Sequence, residues 1–135
     1  MSARPRSLRI LIADDDRDSV LTLVLLLRQE GHDARGVHSG REVMKAVRDF
    51  DPEVVLLDIA MPVLSGWQVA RMIREQLGSR VTLIGMSGKY NHSVDNILSE
   101  MVGFDHYLLK PYDPQALIAL IAQQHLQSGR PWIGT

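Results

Sequence analysis

A chain of 135 residues, 45% hydrophobic and 23% charged, has the length and the apolar content of one globular domain. Its formal net charge of −1 offers no positive field to a nucleic-acid backbone or an anionic membrane, so we expect neither partner. The absence of cysteine excludes disulfide bonds, cysteine-ligated zinc and cysteine nucleophiles.

No segment has the pattern of a membrane span or of a secretory signal. The longest apolar stretch, around residues 23–27, is far too short to cross a bilayer. The basic residues near the N-terminus lead into an apolar run that ends at three aspartates, which is not the pattern of a signal peptide. We therefore expect a cytoplasmic protein that does not contact the membrane.

Five short apolar segments alternate with longer segments whose apolar residues recur at helical spacing. Four of the short segments contain few polar residues, as do strands covered on both faces of a parallel sheet. The second segment is more polar and is predicted to lie at an edge. We predict strands over residues 8–13, 33–37, 54–57, 81–86 and 107–109, and helices over residues 17–30, 40–50, 66–77, 93–101 and 114–127.

Residues with capping chemistry support most of the helix boundaries. Ser39 and Ser65 each stand three residues before a Glu or Gln, the pattern of a capping box. Asp113 is followed by a proline, which is favoured at the first position of a helix. Gly31 and Gly78 follow predicted helices at the position where a glycine commonly ends them.

The strict alternation of strands and helices predicts right-handed crossovers and a doubly wound α/β fold with helices on both faces of the sheet. We expect one domain over residues 8–127, an N-terminal tail over residues 1–7, and a C-terminal tail or linker stub over residues 128–135. Within the last segment, Trp132 and Ile133 are compatible with a packing contact, a dimer contact or neither.

Chemically active side chains stand where the predicted strands end. Asp14 and Asp15 follow the first strand, Asp58 the third, Ser87 the fourth and Lys110 the fifth. Because the carboxyl ends of parallel strands lie at one edge of an open α/β sheet, and ligands bind there, we expect these side chains to meet. This convergence is the strongest functional indication in the sequence.

Three carboxylates at one edge require compensating positive charge. Two carboxylates about 5 Å apart repel by roughly 3 kcal/mol at an effective dielectric constant of 20. Lys110 supplies one positive charge and a divalent cation would supply two, and hard oxygen ligands favour magnesium over zinc. An aspartate carboxylate can also act as a covalent nucleophile toward phosphorus. The pattern therefore predicts a magnesium site that supports phosphoryl chemistry.

Four separated motifs carry a family resemblance. LIADDD at 11–16, LDIAMPVLSG at 57–66, MSG at 86–88 and YLLKPY at 107–112 resemble the receiver domain of two-component response regulators. The resemblance covers roughly residues 8–127. It implies a flavodoxin-like fold of five parallel strands in the order 2-1-3-4-5 with five helices. It further implies a regulatory domain, not an enzyme acting on other substrates, that is phosphorylated by a histidine kinase or histidine phosphotransfer protein.

The resemblance assigns roles to individual residues. Asp58 matches the phosphoacceptor, which is also a magnesium ligand. Asp15 matches the direct metal ligand, Asp14 the acid that holds the metal through water, and the backbone carbonyl of Ala60 a further ligand.

Other matched positions hold and report the phosphoryl group. Ser87 matches the hydroxyl switch and Lys110 the phosphate-binding lysine. Tyr107 matches the aromatic switch, which would turn inward on phosphorylation. Pro111 would follow a cis peptide bond, and Gly66 would shape the loop after the phosphoacceptor. A downstream protein target would bind the face made by the fourth predicted helix, the fifth strand and the fifth helix, and a homodimer is possible.

Alternatives remain open for the first helix and for the function. Leu21, Leu25 and Leu26 widen the apolar face of that helix, which indicates either shielding by neighbouring segments or docking of the phosphodonor. The same fold could serve as an interaction module that does not use phosphorylation. A small phosphohydrolase would instead use Asp14 and Asp16, which have D-x-D spacing, although Asp16 also suits the N-cap of the first helix.

Overall fold

A computed structural model describes residues 7–88 and 103–128, with side chains described as far as residue 124. Its five strands form one parallel sheet in the order β2-β1-β3-β4-β5. The α/β class, the strand order and the edge position of the polar second strand are confirmed. The elements are β1 (Arg9–Ala13), α1 (Arg17–Gln29), β2 (Asp33–Val37), α2 (Gly40–Phe50), β3 (Val54–Asp58), α3 (Gly66–Leu77), β4 (Thr82–Gly88), β5 (His106–Lys110) and a C-terminal helix (Pro114–Ser128).

Strands β3, β4 and β5 extend further toward the functional edge than their apolar residues predicted. Asp58 pairs with Met86 across β3 and β4, and Gly88 pairs with Lys110 across β4 and β5. The main-chain ladder continues through polar residues because backbone hydrogen bonds do not depend on side-chain polarity. Asp58, Ser87 and Lys110 therefore lie at the carboxyl ends of their strands and not in the loops that follow.

The core has two layers, one on each face of the sheet. Alternate residues of each strand point to opposite faces, so neighbours such as Leu11 and Ile12 enter different layers. One layer packs β1, β3 and β4 against α2 and α3, and the other packs them against α1 and the C-terminal helix. The largest fully buried side chains include Leu8, Ile10, Leu11, Ile12, Leu27, Leu56, Leu57, Ile73, Leu83, Ile84, Met86 and Leu117.

The predicted caps form, with one difference. Ser65 makes both bonds of a capping box with Gln68, and the carboxylate of Asp113 accepts the N–H of the second residue of the C-terminal helix. Ser39 accepts the N–H of Glu42, but the Glu42 carboxylate accepts the N–H of the residue before Ser39. Gly31 and Gly78 both have positive φ at helix ends, as predicted.

Some predictions lie outside the described residues. They are the fourth helix, predicted over 93–101, and the ends of both tails, which include Trp132 and Ile133. In the ranges 7–88 and 103–128, no helix is long and apolar enough to cross a bilayer.

Candidate functional site

Three carboxylates meet at the carboxyl edge of the sheet. Asp14, directly after β1, is 1% exposed, and Asp58, the last residue of β3, is 6% exposed. Asp15 is exposed beside them. Each of the three offers an oxygen that lies within 4.8 Å of those of the other two. The predicted meeting of these residues is therefore present in the structure.

Local backbone hydrogen bonds fix the two buried carboxylates. The Asp16 N–H donates to Asp14 Oδ1 at 3.0 Å, and the Ala60 N–H donates to Asp58 Oδ1 at 3.2 Å. Both contacts join a carboxylate to the amide two residues on, the Asx-turn arrangement favoured after a strand. One oxygen of each carboxylate is thereby held by its own loop.

Asp16 has a separate role. Its carboxylate accepts the Asp18 N–H at 3.1 Å and the Ser19 hydroxyl at 2.9 Å. These bonds make Asp16 the N-cap of α1, as the sequence predicted. With its oxygens engaged in this cap, Asp16 is not part of the carboxylate cluster that a D-x-D phosphohydrolase would need.

Lys110 brings the compensating charge from β5. Its Nζ lies 2.8 Å from Asp14 Oδ2 and 3.8 Å from Asp58 Oδ1. The ammonium is therefore hydrogen-bonded to Asp14 and only electrostatically paired with Asp58. The peptide bond between Lys110 and Pro111 is cis, which confirms that prediction.

The pKa values of the two buried carboxylates are displaced in opposite directions. Burial, followed by repulsion from Asp14, raises the pKa of Asp58 from 3.8 to about 6. Burial also opposes ionisation of Asp14, but the bonds from Lys110 and from the Asp16 amide outweigh it, so the pKa of Asp14 is lowered. Burial opposes the charge on Lys110 as well, but its three acidic neighbours outweigh that effect and raise its pKa. Asp58 is thus the more basic of the two buried carboxylates.

The cluster fits a hard divalent cation. Its donors are carboxylate oxygens, the ligands that magnesium prefers, and two of the three residues are buried. Within the described residues, Lys110 supplies the compensating positive charge. It lies to one side of the cluster, bonded to Asp14. The negative charge that remains beside Asp58 and the exposed Asp15 would favour a bound cation.

Ser87 and Tyr107 join the site to the edge strand. Ser87 is fully buried on β4, and its Oγ accepts the Tyr107 hydroxyl at 2.8 Å. The Ser87 hydroxyl in turn donates to the Gly88 carbonyl at a long 3.3 Å. The two predicted switch residues are therefore in direct contact, and Tyr107 already points toward the site.

Gly66 shapes the loop after Asp58 by close approach of two backbones. A Cβ on Gly66 would lie 2.6 Å from the Asp58 carbonyl oxygen and 2.8 Å from the Ile59 Cα. The Gly66 N–H donates to the Ile59 carbonyl at 3.0 Å. The start of α3 is thus held directly against the residue that follows β3, which only glycine permits.

Two features of the site were not predicted from the sequence. Tyr112 is half-buried, and burial together with the charge of Asp14 raises its pKa to about 12. Its position after Lys110 and Pro111 was the available signal. Val63, in the loop after Asp58, has a φ of +70° and is 90% exposed. A valine gives no sequence signal for that conformation.

The first helix exposes part of its wide apolar face. Val20, Leu23, Val24 and Leu27 are buried in the core, and Leu26 is partly buried against it. Leu21 and Leu25 are 58% and 53% exposed. Among the described residues, no neighbouring segment shields these two side chains.

A family model and curated proteins match the chain. The model for the response regulator receiver domain matches residues 10–122. The DNA-binding response regulator MtrA of Mycolicibacterium paratuberculosis is 35% identical over 113 residues, which cover 84% of this chain and 49% of that protein. The aerobic respiration control protein ArcA of Escherichia coli K12 is 34% identical over 108 residues, covering 80% and 44%. The chain thus spans about half the length of the curated relatives that it matches.

Solved structures share the fold over nearly the whole chain. A CheY-like response regulator receiver domain protein from Methanospirillum hungatei superposes with a TM-score of 0.85 at 22% identity, covering 93% of this chain and 98% of that one. The signal receiver domain of a response regulator from Bermanella marisrubri has a TM-score of 0.79 at 28% identity, covering 88% and 98%. At 22% identity, the similarity to the Methanospirillum hungatei protein shows a shared fold and nothing more.

Proposed function

The chain belongs to the response regulator receiver domain family, and on that premise we propose that Asp58 is its phosphoacceptor. The family consists of phosphoacceptor signalling domains of two-component systems. The observation that carries the proposal is the meeting of Asp14, Asp15 and Asp58 with Lys110 at one edge of the sheet. Of the two buried acids, Asp58 has the longer ion pair with Lys110, at 3.8 Å, and the raised pKa.

Asp58 is suited to attack phosphorus. In the metal-free protein its pKa is raised to about 6, so the carboxylate is mostly ionised at pH 7 yet more basic than an ordinary aspartate. In the transfer, a carboxylate oxygen bonds to phosphorus while the bond from phosphorus to the donor's imidazole nitrogen breaks. The electron pair of that bond stays on the nitrogen, so the products are an aspartyl phosphate and a free histidine.

Lys110 and Ser87 are the groups proposed to hold the new phosphoryl oxygens. Lys110 Nζ is 3.8 Å from Asp58 Oδ1, so a small rotation of its flexible side chain would bring it to an oxygen beyond that atom. Ser87 follows Met86, the residue paired with Asp58 across the sheet. A hydroxyl and an ammonium that are held in place before the reaction stabilise developing charge effectively.

We infer that magnesium is the cofactor. Asp14, Asp15, Asp58 and the main-chain carbonyl of Ala60 would hold it, with Asp14 acting through water. When bound, the cation supplies positive charge that offsets the carboxylates and the incoming phosphoryl oxygens. The protein's own contribution is to fix the orientation of Asp14 and Asp58 through the amides of residues 16 and 60.

Tyr107 and Ser87 are the proposed route from the phosphoryl group to the surface. A Ser87 hydroxyl drawn toward phosphate would alter its 2.8 Å bond with Tyr107 on β5. A downstream protein target would read that change on the face that the resemblance assigns to the fourth predicted helix, which lies outside the described residues, together with β5 and the C-terminal helix. The target must distinguish the two states by a few kcal/mol, because equal affinity for both shifts no population.

A histidine kinase or a histidine phosphotransfer protein is the proposed donor. Leu21 and Leu25 stand one helical turn apart on α1, which begins at the same edge of the sheet as the acidic cluster. Their exposure leaves an apolar strip on this helix that a helical donor could cover. This supports the docking alternative for the first helix.

Several expectations stay predictions. They are a single receiver domain over residues 8–127, a cytoplasmic location, a possible homodimer and the absence of nucleic-acid contact. The relatives named as DNA-binding are about twice as long as the segment they share with this chain. We also propose that the chain catalyses only its own phosphorylation and dephosphorylation.

Intact-mass measurement after incubation with acetyl phosphate and magnesium tests the proposal. The wild-type protein should gain the mass of one phosphoryl group, and Asp58→Asn should gain none. Asp33→Asn, a matched change on the edge strand β2, should label as the wild type does. Chelation of magnesium with EDTA should abolish labelling. A wild type that gains no mass would instead favour the module that does not use phosphorylation.

A further inference from the structure

Tyr112 carries a hydroxyl at the acidic edge of the sheet that the proposed phosphoryl transfer does not use. The residue stands two positions after Lys110, is half-buried, and packs against the core layer that contains α1 and the C-terminal helix. Within residues 7–88 and 103–124, its hydroxyl makes a single hydrogen bond, which it donates to Met86 Sδ at 3.8 Å. Because a thioether sulfur is a weak acceptor, the donor of Tyr112 is available to a stronger one.

Asp14 lies on the same face of the sheet as Tyr112. Ile12 of β1 and Met86 of β4 belong to the core layer against which Tyr112 packs. The N–H of Asp14 still donates to the Val37 carbonyl of β2, so the strand ladder reaches Asp14, and strand alternation points it to the same face as Ile12. The electrostatics agree, since burial and then the charge of Asp14 raise the pKa of Tyr112 to about 12. The nearby strong acceptor for the hydroxyl is therefore the Asp14 carboxylate.

Asp14 is bonded to a lysine that the proposed function also requires elsewhere. Lys110 Nζ is 2.8 Å from Asp14 Oδ2 and 3.8 Å from Asp58 Oδ1, and the proposed transfer requires the ammonium to move toward Asp58. Asp14 is 1% exposed, so the loss of this bond leaves a buried carboxylate oxygen short of a donor. The Asp16 N–H is held on the other oxygen, Oδ1. A second donor for Oδ2 would make the movement of Lys110 less costly.

We propose that Tyr112 is a positioning residue whose hydroxyl donates to Asp14 when Lys110 turns toward the phosphoryl group, an inference that rests on the function proposed above. No covalent bond changes in this exchange, because the hydroxyl leaves the Met86 sulfur as the ammonium leaves Asp14 Oδ2. Phenylalanine would fill the same space but would offer no donor. Tyr112 thus frees Lys110 for the reaction while the buried carboxylate keeps a hydrogen bond.

A double-mutant cycle in the metal-free protein tests the exchange without phosphorylation. Lys110→Met removes the ammonium permanently, so the hydroxyl of Tyr112 should then donate to Asp14. Tyr112→Phe removes that hydroxyl and keeps the ring. In EDTA, Tyr112→Phe should lower the urea midpoint by no more than about 0.3 M in the wild-type protein, but by about 0.5–1.5 M in Lys110→Met.

The pH and the control variant exclude other donors. At pH 9.0, well above the pKa of about 6 of Asp58, that carboxyl has no proton to donate, whereas Tyr112, with a pKa of about 12, keeps its own. Tyr107→Phe is the matched control, because its hydroxyl bonds to Ser87 and its ring packs in the opposite core layer. Tyr107→Phe should change the urea midpoint equally with and without Lys110.

Labelling by acetyl phosphate tests the consequence for the reaction. With saturating magnesium, Tyr112→Phe should be labelled about three- to tenfold more slowly than the wild type, because Lys110 then leaves Asp14 without a replacement donor. The urea midpoint of the same variant stays within about 0.3 M of the wild type, so a loss of folded protein would not account for the slower labelling.

Two results would overturn the inference. One is an equal change of the urea midpoint on Tyr112→Phe with and without Lys110, and the other is a labelling rate of Tyr112→Phe equal to that of the wild type. Failure of the wild type to label with acetyl phosphate would contradict the proposed function. The double-mutant cycle would still decide whether Tyr112 donates to Asp14, so the two failures are distinguishable.

Discussion

Replacing Asp58 with asparagine should stabilise the metal-free protein. Asp58 is 6% exposed and lies beside Asp14, and these two conditions raise its pKa from 3.8 to about 6. Such a displacement corresponds to about 3 kcal/mol of unfavourable free energy when the carboxylate is ionised at pH 7. The asparagine side chain keeps an oxygen for the Ala60 N–H but carries no charge. We expect the free energy of unfolding to rise by about 1–3 kcal/mol.

The effect has a defined pH dependence. Because the folded-state pKa is raised, Asp58 keeps its proton in the folded protein at pH values where the unfolded chain has already lost it. Wild-type stability is therefore lost as the pH rises from about 4 through about 6. The advantage of Asp58→Asn should be small near pH 4 and fully present at pH 7 and above.

Urea unfolding followed by circular dichroism, in EDTA, measures this effect. The variant's midpoint at pH 7.5 should lie about 0.5–2 M above that of the wild type. Asp33→Asn, exposed on β2, should shift the midpoint little. Added magnesium should narrow the gap, because it binds the folded wild type more tightly than the variant. An Asp58→Asn protein no more stable than the wild type at pH 7.5, or an advantage equal at pH 4.5 and 7.5, would refute the electrostatic reasoning.

Three further changes probe the same edge of the sheet. Lys110→Met leaves the buried Asp14 carboxylate without its ion pair, so urea unfolding at pH 7 should show a loss of about 1–3 kcal/mol; no loss would contradict the pairing. Gly66→Ala should lose about 1–3 kcal/mol in the same assay, whereas Gly88→Ala, whose Cβ would have no described atom within 4 Å, should change by less than about 0.5 kcal/mol. Leu25→Glu should slow phosphotransfer from a protein donor but leave acetyl phosphate labelling unchanged; equal slowing of both would reject docking on α1.

Much of the fold could be predicted because its signals are local. Asp16, Ser65 and Asp113 cap helices with their own side chains, and Gly31 ends α1 through its own backbone freedom. The carboxylate cluster could also be predicted, since parallel strands deliver their last residues to one edge. The strand ends were placed too early where polar residues continue the ladder, as at Lys110.

Other features depend on distances that no sequence pattern fixes. The 2.8 Å bond of Lys110 to Asp14, as against 3.8 Å to Asp58, follows from the side-chain packing. So does the contact of Tyr107 with Ser87, whereas the resemblance implied only that Tyr107 turns inward on phosphorylation. The left-handed turn at Val63 is fixed by the packing of the loop against α2 and α3 and not by the intrinsic preference of valine.

The central claim is that Asp58, and neither Asp14 nor Asp15, receives the phosphoryl group. Borohydride reduces an acyl phosphate to an alcohol, so a phosphorylated aspartate becomes homoserine and can be located by peptide mass spectrometry. After incubation with acetyl phosphate and magnesium, homoserine should appear at position 58 alone. Homoserine at position 14 or 15, with position 58 unchanged, would contradict the account.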